Sequence, residues 1–101
     1  MGDVGISRIA LDEAGRLRVY PRLNSRDYAY IYRDASSVRW DEEDRSLYVL
    51  PVDGFTVVDE FRQIMKAVKG EYFDSLVVDE STVFAIRPEV ADELREIAKR
   101  R

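Results

Sequence analysis

The sequence predicts an α+β fold: a mainly antiparallel sheet of about five to seven strands, with two amphipathic helices packed on one face. Three observations carry this. The first half alternates apolar and polar residues at period two, as half-buried strands do. Two stretches of the second half instead repeat their apolar residues at helical spacing. The connections between these segments are short and punctuated by Pro and Gly, which favours neighbouring antiparallel strands. At 101 residues the chain is expected to be a single domain, 1–101.

Each element has its own justification. Ile9 and Leu11 alternate with Arg8, Ala10 and Asp12, and Glu13-Ala14-Gly15 turns the chain. In Arg16-Leu17-Arg18-Val19-Tyr20, Leu17 and Val19 share one face, and Pro21 ends the strand because it cannot donate to a ladder. A polar loop over 23–27 leads to Tyr28-Ala29-Tyr30-Ile31-Tyr32, which alternates and is expected to be a third strand. Residues 37–40 and 46–52 form a hairpin around an acidic tip, Asp41-Glu42-Glu43-Asp44.

Thr56, with Asp59 three positions on, predicts a capped helix start. Val57, Val58, Phe61, Ile64, Met65 and Val68 supply its apolar stripe, and Gly70 closes it. Residues 76–78 and 82–86 are expected to pair as a hairpin across Asp79-Glu80-Ser81. Pro88 opens the second helix, with Val90, Ala91, Leu94, Ile97 and Ala98 inward and a basic Lys99-Arg100-Arg101 end.

Composition excludes much chemistry. The chain has neither His nor Cys, so the usual neutral-pH base, the thiol nucleophile and the usual zinc ligands are missing. No glycine-rich phosphate loop and no Gly-x-Ser-x-Gly elbow occurs. No cofactor and no metal are expected. Without Cys there is no disulfide framework. No signal peptide and no apolar run of about 20 residues is present, so a cytoplasmic protein is expected.

The net charge of −4 argues against nucleic acid as a partner, since binding it draws on a basic footprint. That net value hides a gradient. Between positions 16 and 39 lie six Arg against Asp27 and Asp34; between 41 and 60 lie seven acids against Arg45. Such a chain can attract a copy of itself.

One constellation stands out. If Leu17, Val19, Ala29 and Ile31 face the core, then Arg16, Arg18, Tyr20, Tyr28, Tyr30 and Tyr32 cover the opposite face. Tyr and Arg are enriched in protein interfaces, and Arg stacks on Tyr rings. The bland alternative makes these rings ordinary half-buried sheet residues. The acidic patch Asp41, Glu42, Glu43 and Asp44 lacks the ligand spacing of a calcium loop and suits a solvated hairpin end that discourages edge pairing.

The segments Gly15-Arg16-Leu17-Arg18-Val19-Tyr20-Pro21, Tyr30-Ile31-Tyr32-Arg33, Val38-Arg39-Trp40-Asp41 and Ser46-Leu47-Tyr48 resemble the small proteins encoded by mobile gene cassettes of bacterial integrons. The resemblance covers about half of the chain. It implies a small α+β domain, often oligomeric, and defines no site motif.

The functional expectation is a non-catalytic binding or interaction protein that acts as a homo-oligomer through the Tyr/Arg sheet face. Two alternatives stand beside it. One is a small-molecule binder or carboxylate-based enzyme with a cleft at or near the protomer interface. The other is an acidic immunity- or antitoxin-like inhibitor, which requires the acids between 41 and 60 to form one exposed patch. The partners expected are the chain itself, or an unidentified protein or small molecule, and no membrane.

Overall fold

Hydrophobic alternation does build the sheet, although two segments depart from the pattern expected. The computed structural model describes residues 2–22 and 27–99; positions 23–26 of the loop expected over 23–27, and Arg100 and Arg101 of the basic end, lie outside them. The element order is β1 (Gly2–Leu11), β2 (Leu17–Pro21), a 3-10 turn (Ile31–Arg33), β3 (Val38–Asp41), β4 (Ser46–Val49), α1 (Val57–Tyr72), β5 (Asp74–Val77), β6 (Val83–Ala85) and α2 (Pro88–Ala98). The sheet runs β3-β4-β2-β1-β5, and β6 also pairs with β1.

The α+β class is therefore as expected, and the sheet, expected to be mainly antiparallel, is mixed, with three antiparallel and two parallel pairings among the described residues. β1–β2, β2–β4 and β3–β4 are antiparallel. The expected hairpin of β5 with β6 does not form: both run parallel to β1, β5 against Gly2 to Gly5 and β6 against Arg8 to Ala10. The ten residues of β1 thus serve two partners in succession on one side. Between them the β1–β2 register slips from Ile6 to Arg8, a bulge that redirects the strand. Its loose polar groups are taken up locally. Ser7 Oγ donates to the Tyr20 carbonyl at 2.9 Å and Thr82 Oγ1 donates to the Ile6 carbonyl at 2.6 Å.

The second correction concerns residues 28–32, which are not a strand. The Asp27 carboxylate accepts from the Ala29 N–H at 2.8 Å, and Tyr28 and Tyr30 carbonyls accept from Ile31 and Arg33. These local bonds compete with a sheet ladder and win. At three residues per turn Tyr28 and Ile31 fall on one side, and both are fully buried, while Tyr30 and Tyr32 are 53% and 47% exposed.

One face of the sheet carries Ile6, Ile9, Leu17, Val19, Val38, Leu47 and Val49 into a core shared with Phe61, Ile64, Ala67 and Val68 of α1 and Leu94 and Ala98 of α2. Tyr28 enters this core edge-on to Trp40 and Tyr72, with ring centroids 5.5 and 4.9 Å away. Thr56 and Asp59 form the expected capping box. The α1 helix continues past Gly70 to Tyr72 and ends on Phe73 in the left-handed region (φ 61°). Gly70 supplies clearance instead of a stop: a Cβ there would lie 2.0 Å from Asp34 Oδ1. Phe55 and Phe73, at the two ends of α1, are exposed.

Candidate functional site

With both helices on one side, no helix among the described residues covers the other side of the sheet. Period-two alternation sends Arg8, Arg18, Tyr20, Arg39, Asp41 and Tyr48 there. The register sets Arg8 beside Tyr20, Ala10 beside Arg18, Arg39 beside Tyr48 and Asp41 beside Ser46.

Arg18 is the hub of this face. Its Nε donates to Asp12 Oδ2 at 3.0 Å, and its Nη1 donates to Asp41 Oδ2 at 3.1 Å and Ser46 Oγ at 3.2 Å. Asp44 lies 4.0 Å away. The guanidinium also sits 4.1 Å from the centre of the Tyr48 ring, with Arg16 at 5.3 Å from the same ring. Its side chain is only 13% exposed. A planar fork, with its donors spread over three nitrogens, spans two separated carboxylates that a lysine would have to reach from one nitrogen. Arg18 therefore ties the β1–β2 turn, through Asp12, to the β3–β4 hairpin, through Asp41.

The ionisation states follow. Partial burial alone would raise the Asp12 carboxyl, but the Arg16 N–H, the Arg18 guanidinium and the Ala14 N–H outweigh it and hold Asp12 below the usual carboxylate range. Asp41 is lowered first by the Asp44 N–H and then, against some burial, by Arg18. Desolvation opposes the Arg18 cation, yet hydrogen bonds and attraction from Asp12 and Asp41 leave its pKa raised. Burial, then the hydrogen bond to Asp44, pushes the Tyr20 hydroxyl up.

A second ionic crossing runs from Arg22, just after β2, over β1 to the β5–β6 connection. Arg22 Nη2 lies 2.5 Å from Asp79 Oδ1 and also donates to Ser81 Oγ. The path exists because residue 5 is glycine: a Cβ there would lie 2.5 Å from Arg22 Nε. The Asp79 carboxyl is lowered to about 2, first by Arg22 and then by Ser81.

Of the six aromatic and basic residues singled out in the sequence, the structure brings Arg16, Arg18 and Tyr20 together on the open face. It separates the other three. Tyr28 is in the core, its hydroxyl donating to Asp74 at 3.3 Å. Tyr30 precedes the 3-10 turn and Tyr32 lies within it; the turn packs on α1 and β3, so both belong to another surface. There Arg33 lies 4.3 Å from the Tyr30 ring centre, and the Tyr30 N–H donates to Tyr72 Oη at 3.1 Å.

The acidic patch stays at the surface, with Asp41 half-buried and Glu42, Glu43 and Asp44 exposed, but most of its charge is paired within the chain. Asp41 and Asp44 face Arg18, Glu42 accepts from Trp40 Nε1 at 2.6 Å and pairs with Arg45 at 3.2 Å, and Glu43 is exposed. Among the described residues no group of three or more carboxylates could hold a metal ion. Sequence reasoning passed over Arg8, Arg39 and Tyr48. Tyr48 carried a usable signal, because it alternates with Leu47 and Val49, and so must leave the core.

The architecture defines a class first: an α+β protein whose sheet is packed with helices on one side and bears an Arg/Tyr surface on the other. The model of the Integron Cassette Protein Hfx_Cass5 family matches residues 4–82, and the chain belongs to that family. A solved structure described as "Structure from the mobile metagenome of North West Arm Sewage Outfall: Integron Cassette Protein Hfx_Cass5" is 28% identical, covering 95% of both chains, with a TM-score of 0.47. No curated protein matches the chain.

Proposed function

We propose that this protein works by binding rather than catalysis, and that the uncovered sheet face is the surface through which copies associate. The carrying observation is the combination on that face of the Tyr20 and Tyr48 rings with four arginines, Arg8, Arg16, Arg18 and Arg39. Arg8 lies 5.4 Å from the centre of the Tyr20 ring. Amphipathic rings and guanidinium forks are the side chains that interfaces use most heavily.

The alternatives draw less support. A general acid or base works best with a pKa near the operating pH, whereas the shifted carboxyls Asp12, Asp41 and Asp79 all move away from neutrality. An inhibitor acting through one acidic patch needs the acids of 41–60 together. Asp59 instead caps α1, Glu60 accepts from the Leu17 N–H, and Asp41 and Asp44 neutralise Arg18.

Sedimentation velocity over a concentration series, at low and high salt, tests the proposal. The expected result is a mass that rises with concentration and falls with salt. A strict monomer throughout would sink it. Because Arg18 is also a structural hub, Arg8→Glu with Arg39→Glu probes the face more cleanly than Arg18→Glu.

A further inference from the structure

We propose that the groove between the N-terminal ends of α1 and α2 binds a short apolar peptide with free ends, two or three residues long. Its carboxylate meets Arg87 and its ammonium group meets Glu93. The site lies in the helix layer, so it stands or falls separately from the sheet face.

The groove measures about 430 Å³ and is lined by Thr56, Val57 and Val58 on the α1 side and by Arg87, Val90 and Glu93 on the α2 side. Small-molecule sites are concave, mostly apolar and about 300–1,000 Å³, with a few polar groups that fix orientation. Three valines and two charged side chains fit that description. Arg87, Val90 and Glu93 follow one another at three-residue steps, the spacing of one helix ridge. The order along the ridge is therefore cation, apolar, anion. Six residues of helix rise about 9 Å, and two or three extended residues reach about 7–10 Å. A peptide of that length can place one end at each charge and its side chains on the valines.

Both charges are uncommitted. Among the described residues Arg87 has no carboxylate and Glu93 no cation within 4 Å, and neither side chain makes a hydrogen bond. The acids at the start of α1 are used elsewhere: Asp59 accepts from the Thr56 N–H and Glu60 from the Leu17 N–H. On α2, Asp92 and Glu96 pair with Arg95 and Lys99, each at 3.0 Å. Glu89 and Arg62 line the next groove along α2, which Glu93 also borders.

The two charges of the groove cancel in sum but stay apart, which selects the ligand class. A ligand of one sign would satisfy one side chain and meet a like charge at the other, whereas a zwitterion satisfies both. The groove of about 460 Å³ beside the β5–β6 connection does not offer this. There Asp79, Arg95 and Lys99 are already paired with Arg22, Asp92 and Glu96.

NMR titration of the isotope-labelled chain tests the proposal, following the methyl signals of Val57, Val58 and Val90. The probes are the dipeptide Leu-Leu, its N-acetylated form, its C-terminal amide, and 6-aminohexanoate, which has both charges and no side chains. Leu-Leu is expected to shift all three valines saturably. Each blocked form should bind about fivefold more weakly, the upper end for one exposed ion pair. The variants assign the ends. Arg87→Gln should bind Leu-Leu and its amide alike while still discriminating against acetylation, and Glu93→Gln should do the reverse; circular dichroism checks that both are folded. The blocked peptides make the comparison on the unaltered chain, so it survives a variant that fails to fold. Valine signals that stay still, or blocked peptides that bind as tightly as the free one, would overturn the proposal. Shifts centred on the groove at Val78 and Lys99 would do the same. Equal binding of 6-aminohexanoate would show that the charges alone are read and would overturn the peptide assignment.

Discussion

Replacing Arg18 by Met keeps an apolar side chain and removes the charge, the fork and the guanidinium contact with the Tyr48 ring. Three hydrogen bonds disappear, to Asp12, Asp41 and Ser46. Bonds to charged groups contribute about 1.5–3 kcal/mol each, but bonds sharing one guanidinium do not add. The setting lies between two limits. Exposed ion pairs contribute about 0–1 kcal/mol, and removing one partner of a buried pair costs about 3–5 kcal/mol. With Arg18 13% exposed, Asp12 20% and Asp41 33%, a loss of about 2–3 kcal/mol is expected. For a domain of this size that lowers Tm by about 8–20 °C.

Equilibrium urea unfolding of Arg18→Met, Asp12→Asn and the double variant gives the measurement. The double-mutant cycle is expected to show a coupling of about 1 kcal/mol. Arg18→Lys should recover less than half of the loss, because the bonds to Asp12 and Asp41 leave from two different nitrogens of the fork and an ammonium has one. The pH dependence has a defined sign. Asp12 and Asp41 are held low in the folded state, so their contribution is present above about pH 4 and disappears as pH falls through the depressed values. Arg18→Met should flatten that acid limb. A loss under about 0.5 kcal/mol with no coupling would refute the hub role, leaving Arg18 an ordinary surface side chain.

The remaining predictions concern the core, a crossing and a cap. Tyr28→Ala should cost about 3–5 kcal/mol as a cavity in the core, whereas Tyr30→Ala should stay within about 0.5 kcal/mol; equal costs in urea unfolding would contradict the packing described. Gly5→Ala should displace Arg22 and weaken its pair with Asp79, so that Gly5→Ala and Arg22→Ala are less than additive; full additivity would deny the crossing. Asp79 ionises at about 2 in the folded chain, so Asp79→Asn should remove stability present above about pH 4 and leave less to lose between pH 4 and 2; an unchanged acid transition counts against the pair. Phe73→Gly should stabilise by about 0.5–1 kcal/mol, since a 62% exposed ring sits on a left-handed backbone that glycine adopts freely; a destabilised variant would mean that the ring packs.

Leu17 and Val19, the capping box at Thr56 and Asp59, and Pro88 at the start of α2 were all legible in the sequence. Each rests on a short-range rule, either alternation, a reciprocal pair of hydrogen bonds or a missing N–H. The run from Tyr28 to Tyr32 misled because alternation there is genuine but subordinate. The Asp27 side chain starts a turn, and the core takes the Tyr28 ring. The parallel pairing of β5 and β6 was hidden for a different reason. It depends on the bulge in β1, on Thr82 reaching the Ile6 carbonyl, and on Arg22 spanning to Asp79, partners 57 or more positions apart. On the open face, Arg16, Arg18 and Tyr20 came from one strand's alternation, while Arg8, Arg39 and Tyr48 needed the order of the strands, which local pattern does not encode.

Amide chemical shifts followed across a concentration series test most directly where copies of this chain touch. Arg8, Tyr20, Arg39 and Tyr48 should move together as concentration rises, with Tyr30, Tyr32 and Phe73 unchanged. Movement confined to the 3-10 turn and Phe73, with the sheet face still, would contradict the account.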